Sequence, residues 1–155
     1  MLTIENKACN FETREHIALV GRLMHGLVKE MLDRCDRHDL SKLERPEVEA
    51  FTVMTPALSQ TDYGTAQNDA NKALLGDALA HHYSKNRHHP EHFKNGVDDM
   101  NLIDIIEMFC DWKAAGTRHK SGGNIRKSIE INRDRFKLAP QLVRIMENTI
   151  DLVGE

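Results

Sequence analysis

Apolar residues recur at three- and four-residue intervals along nearly the whole chain, and no stretch of useful length alternates apolar with polar. That pattern restricts the chain to helices packed on helices, because a half-buried strand needs a period of two. Residues 13–35 carry Ile17, Val20, Leu23, Leu27 and Met31 on one stripe, with Thr13 as the N-cap. Ser41 and Glu44 have capping-box spacing, and Pro46 suits the first turn of a short helix. Residues 55–66, TPALSQTDYGTA, concentrate turn formers and read as loop. A helix over about 67–85 turns Leu74, Leu75, Ala78 and Leu79 inward. Residues 86–99 connect it, with one helical turn after Pro90, to a strongly apolar helix over 102–115 capped by Asn101. After the turn-rich GTRHKSGG come helices over about 124–136 and 140–152, the second opening at Pro140. Its stripe of Leu142, Ile145, Met146, Ile150 and Val153 suits either core or a homodimer surface, and core is the reading adopted. The expectation is an all-α protein of about six helices, one domain over residues 1–155, a length that supports one ordinary core.

The formal net charge of −3 gives no global basic field, so nucleic acid is not an expected partner. No apolar run reaches the length of a membrane span. The first residues, MLTIENKACNFETREH, lack the apolar segment of a signal peptide, and Cys9, Cys35 and Cys110 form an odd set without CxxC spacing. Reduced thiols and a cytoplasmic location are therefore expected.

Five of the nine histidines fall in AHHYSKNRHHPEH, residues 80–92. Such crowding is either a metal site or a histidine-rich surface loop, and helical phase helps to separate the two. His16 precedes Val20, Leu23 and Leu27 by four, seven and eleven residues, so it shares their stripe. It is either a ligand or a core histidine bonded to a carbonyl. His25 lies on the opposite side of that helix. His82 follows Leu75 and Leu79 at helical spacing near the centre of the apolar face, with His81 nearer its edge.

The segment LIDIIEMFCDWKAA poses a sharper electrostatic problem. Asp104, Glu107 and Asp111 form one stripe on a helix that is apolar on most sides. Buried carboxylates are costly unless a cation neutralises them. Asp104 has an ordinary role in the first turn, where the helix dipole favours acids. Asp111 has none, and calls for a metal ion or an arginine. With His38–Asp39, the chain offers imidazole and carboxylate donors without thiolate, which suits Mn, Fe, Ni, Zn or Mg better than a structural zinc site.

The order His16, His38–Asp39, the cluster over 81–92 and Asp111 resembles the HD-domain superfamily of metal-dependent phosphohydrolases, and the segment HDLSK is similar to that family's His-Asp-(apolar)-Gly-Lys, with Ser41 in place of glycine. The segments RHDLSKLERPE, HHYSKNRHHPEHF, MNLIDIIEMFCDWKAA and SIEINRDRF resemble, nearly end to end, an uncharacterised family found in phages and bacteria. The HD resemblance implies a compact HD-like helical bundle. It implies one ion held by His16, His38, Asp39 and Asp111, and a second held by His82 with His88 or His89. It implies a small phosphorylated substrate, such as a nucleotide, contacted by Lys42 and by Arg87, Arg118, Arg126 and Arg133. Glu107 then acts as general base or as partner of a ligand histidine. Two rival readings use the same residues: a di-iron oxygenase, and a non-catalytic module that binds a metal or a protein partner. A phage-encoded chain would act in the host cytoplasm.

Overall fold

A computed structural model describes residues 3–61, 64–117 and 124–154, and its contacts divide the chain into two compact units, the first ending at Arg37 and the second starting at His38. Among the described residues there are helices and turns but no strands.

The first unit is one long helix, α1 (Ile4–Arg37). It starts nine residues before the expected Thr13, because Thr3 and Asn6 cap it reciprocally. The Thr3 hydroxyl accepts from the Asn6 amide, and Asn6 Oδ1 accepts from the Thr3 amide, both at 3.1 Å. Ion pairs at four-residue spacing, Lys29–Asp33 and Arg34–Glu30, line its exposed side. None of its residues is buried, and Ile17, Val20, Leu23 and Leu27 are exposed. The apolar stripe is real, but periodicity reports that a stripe exists and not what covers it. His16, expected to face a core, is exposed with it.

The second unit has its main apolar core where α5 (Leu102–Thr117), α6 (Ile125–Phe136) and α7 (Pro140–Thr149) meet. Met108, Phe109 and Trp112 of α5 pack there with Ile125 and Ile129 of α6, Leu138, Met146 of α7 and Ile150. Leu142 and Val153 pack against this cluster, so the C-terminal stripe is core, apart from the exposed Ile145. Asn101 and Asp104 form the box that starts α5: the Asp104 amide donates to Asn101 Oδ1 (2.9 Å) and the Asn101 amide to Asp104 Oδ2 (3.0 Å).

The other side of this unit is built from α2 (Glu47–Ser59), α3 (Ala66–Ala73) and α4 (Asp77–Lys85), with short 3₁₀ turns at Leu40–Leu43 and Pro90–His92. Two expectations are corrected here. The stretch 55–59 is the end of α2 rather than loop, with Pro56 inside the helix and the Thr55 hydroxyl donating to the Phe51 carbonyl at 2.6 Å. The expected helix over 67–85 is two helices, parted at Gly76, whose φ of 51° and ψ of −125° only glycine adopts readily. The break resets the helical phase. Leu75 and Ala78 stay buried, while Leu74, placed inward by an unbroken helix, is exposed.

Candidate metal centre

His38 and Asp39 follow directly on α1. Asp39 sits in the left-handed region (φ 58°), which aspartate tolerates better than most residues. The carboxylate it presents is the hub of a donor cluster. Its Oδ1 lies 3.4 Å from His82 Nε2 and 3.5 Å from His88 Nε2; its Oδ2 lies 3.5 Å from His38 Nε2 and 2.6 Å from Lys42 Nζ. Two groups of four residues bring one donor atom each within 4.8 Å of one another: Asp39, His82, His88 and His89, and His38, Asp39, His88 and Asp111. The elements behind them are the turn after α1, α4, the loop that follows it, and α5.

The cluster is poorly satisfied by its own hydrogen bonds. Asp39 Oδ1 and both ring nitrogens of His88 are buried with no hydrogen-bond partner, and His88 is 1% exposed. Buried polar atoms are normally paired, so these three atoms call for something further. His82 Nε2 and His89 Nε2 face each other at 2.9 Å. Glu47 lies 2.8 Å from His82 Nδ1 and so fixes the proton there, leaving the Nε2 lone pair aimed at His89 and Asp39. The donor atoms of His82, His89, His88 and Asp39 gather at one place, and the cluster fits a divalent ion with imidazole and carboxylate ligands.

The charges follow from these contacts. Asp111 and Glu107 hold the His38 imidazolium so firmly that its pKa is raised to about 10. Burial opposes ionisation of Asp39, but the Lys42 ammonium and the neighbouring histidines keep its carboxyl below the usual range. Burial, together with the positive field of the neighbouring histidines and Lys42, pushes His89 far below an ordinary histidine, and burial with Lys42 lowers His82. Neutral imidazole is the form that ligates, so a cation taken up beside His38 displaces the proton that Asp111 and Glu107 hold there.

Around the donors stands a ring of supports. Glu107 accepts from His38 Nδ1 at 2.9 Å and so orients that ring; it also lies 3.1 Å from His88 Nδ1, without a hydrogen bond. Glu47, 0% exposed, contacts His81 Nδ1 (2.7 Å) and His82 Nδ1 (2.8 Å) and accepts from the Ser41 hydroxyl (3.0 Å). Burial alone would raise its pKa; these hydrogen bonds outweigh that and lower it. The Asn86 side chain donates to the Ser41 hydroxyl and the His82 carbonyl. In the sequence Ser41 reads as part of a capping box and Glu47, like Glu44, as a lesser acid/base candidate or a helix cap, and no linear spacing marks them as partners of residues some forty positions away.

The remaining expected residues lie elsewhere. His16 is an exposed residue of the first unit, whereas both donor groups come wholly from the second. Arg87 is committed to Asp104 through two bonds of 3.0 and 2.9 Å, and stacks over Phe93. Arg126 and Arg133 line a separate hollow of about 350 Å³, with Arg133 paired to Asp134. Arg118 lies outside the described residues. Glu91, next to Pro90, accepts from Arg135 at 2.7 Å. Lys42, by contrast, stands beside Asp39 and lines a cavity of about 550 Å³ whose wall also includes His82, His89 and Asp111.

No helix among the described residues is long and apolar enough to cross a membrane, and no disulfide joins Cys9, Cys35 and Cys110. The model of a family of unknown function, DUF5662, matches residues 5–152. No curated protein and no solved structure matches the chain.

Proposed function

The chain belongs to the DUF5662 family of unknown function, and on that premise we propose that its His–Asp cluster holds one or two divalent ions and hydrolyses a small phosphate ester. The observation that carries the reading is the pair of donor groups sharing Asp39 and His88, with buried donor atoms that the protein itself leaves without hydrogen bonds. His38, Asp39, His82, His88, His89 and Asp111 are the ligands. Asp39 and His88 are common to both donor groups; if two ions were held, Asp39 has an oxygen for each, whereas His88, with one lone pair in its neutral ring, would serve one of them. When bound, a divalent ion supplies Lewis acidity toward a phosphoryl oxygen and acidifies water.

The chain's own residues supply the rest. Lys42 places a fixed ammonium at the junction of cluster and cavity, where the charge of a phosphoryl group gathers. Glu107 and Glu47 hold the rings of His38 and His82 with their Nδ1 atoms turned away from the centre. Hydrolysis forms a bond between water oxygen and phosphorus, breaks the bond from phosphorus to the ester oxygen, and passes a water proton to the departing alcohol. The resemblance to HD-domain phosphohydrolases points the same way. It is incomplete at His16, and the second donor group holds four ligands without that residue.

The test is elemental analysis of untagged protein together with His38→Ala and Asp39→Ala variants, followed by a screen for phosphate release from small esters. One or two equivalents of metal, lost in both variants, with metal-dependent phosphate release, is the expected result. Protein that takes up no Mn, Fe, Ni, Zn or Mg and gains no stability from them would overturn the proposal.

A further inference from the structure

The long helix α1 carries an apolar seam that it cannot cover by itself. Ile17, Val20, Met24, Leu27 and Met31 stand three, four, three and four residues apart, the 3.5-residue repeat by which one helix winds along another. Leu23 and Val28 flank that line. Ile17, Val20, Leu23, Met24, Leu27 and Val28 are between 39% and 63% exposed, and no residue of α1 is buried. A contiguous apolar patch of several hundred Å² marks an interaction surface.

A seam with this repeat takes a helix with the same repeat. Among the described residues of the second unit, no element carries more than two exposed large apolar side chains, so that unit holds no matching seam. A second α1 holds one by identity. The area agrees. The six exposed side chains present on the order of 100 Å² each, so two copies cover about 1,200 Å², where specific, stable interfaces begin.

Charge sets the direction. Residues 4–20 hold three acidic and two basic side chains, a net −1; residues 21–37 hold four basic and three acidic, a net +1. Between Glu15 and Lys29 the one charged residue is Arg22, which lies on the far side of the helix from the seam. Parallel copies would set like halves together. Antiparallel copies set the −1 half against the +1 half and oppose the two helix dipoles. With the middle of the seam over itself, Glu12 and Glu15 of one copy come alongside Arg37 and Arg34 of the other. A two-fold axis closes such a pair.

We infer that the chain forms an antiparallel homodimer through α1, with Met24 near the two-fold axis and Ile17, Val20 and Leu27 in the seam. The inference stands on α1 and does not depend on the metal centre.

Sedimentation equilibrium of the full chain, from about 1 to about 200 µM, reads the mass directly. The expected result is twice the chain's 17.7 kDa at the upper concentrations. Met24→Glu combined with Leu27→Glu puts two charges into the seam and should weaken association at least about a hundredfold. Arg22→Glu, on the far side, should leave it within about twofold. Cross-linking reads the direction. In Cys9→Ser, Cys110→Ser protein, Cys35 is the one thiol left. A short bismaleimide is expected to give covalent dimer only once Arg14→Cys is added, because position 14 of one copy lies beside Cys35 of the other, whereas within one copy the two are about 30 Å apart. A wild-type chain that stays monomeric across the range overturns the inference, whether or not the variants fold. A dimer that survives the paired glutamates overturns α1 as the contact, and coupling through Cys35 alone overturns the antiparallel direction.

Discussion

Replacing Glu47 with glutamine keeps the shape of a fully buried side chain and removes its charge. Glu47 meets three groups at 2.7, 2.8 and 3.0 Å: His81 Nδ1, His82 Nδ1 and the Ser41 hydroxyl. A carboxylate accepts from all of them, whereas an amide has one oxygen and must present its NH₂ to at least one donor. One charge-assisted hydrogen bond is lost and the ring that faces the NH₂ must give up its Nδ1 proton, so the cost is about 3 kcal/mol, the upper part of the range for a charged bond plus desolvation. For a chain of this length that is a fall in melting temperature of about 6–12 °C. Metal affinity should drop about ten- to a hundredfold, because His82 loses the group that fixes its proton on Nδ1. The assay is thermal unfolding of chelated protein, with metal affinity from competition against a chromophoric chelator. Glu47→Asp retains the charge and should recover part of the affinity, which a purely steric role would not predict. A Glu47→Gln protein with unchanged melting and unchanged metal affinity would refute the argument that this carboxylate holds the cluster in shape.

Three further perturbations test other parts of the structure. Arg87→Ala takes both of its hydrogen bonds from the fully buried Asp104; since Arg87 is itself 42% exposed, the loss is discounted to about 2 kcal/mol, read as a lower urea midpoint, and near-zero loss would place Asp104 in a wetter setting. Gly76→Ala meets no atom within 4 Å at its new Cβ, so its cost is backbone strain alone, about 1–3 kcal/mol by chemical denaturation; an unchanged midpoint would mean that α3 and α4 join differently. Arg126→Ala and Arg133→Ala line the other hollow and should leave phosphate release within about twofold, whereas a loss of a full single phosphate contact, about tenfold or more, would bring α6 into the substrate site.

The sequence disclosed the helices through their periodicity, and the capping of α5 by Asn101 with Asp104 is as its spacing implies. His82 is buried, as its place in the stripe predicts, because Ala78, Leu79 and the histidine all lie on α4, beyond the break, and share one phase. What periodicity conceals is what a stripe meets. Ile17, Leu23 and Leu27 look the same in sequence whether covered or open, so His16 could not be separated from the donors on that basis. The arginines were unreadable for a related reason: only the fold shows that Arg87 answers Asp104. Glu47 was hidden because its partners are joined to it by tertiary contact, across α2 and α4.

The glycine break between α3 and α4 also sets where this chain tolerates a change of length. An extra residue between Ala73 and Gly76 falls in a turn, where the connection can absorb it and α4 keeps its own frame. An extra residue between Ala78 and His82 rotates everything beyond it by about 100°. His82 would leave its approach to Asp39, and His81 would take over its share of the buried face. Natural length variation in this region should therefore collect on the α3 side of Gly76, and the five residues from Ala78 to His82 should behave as one indivisible reading frame for the donor cluster.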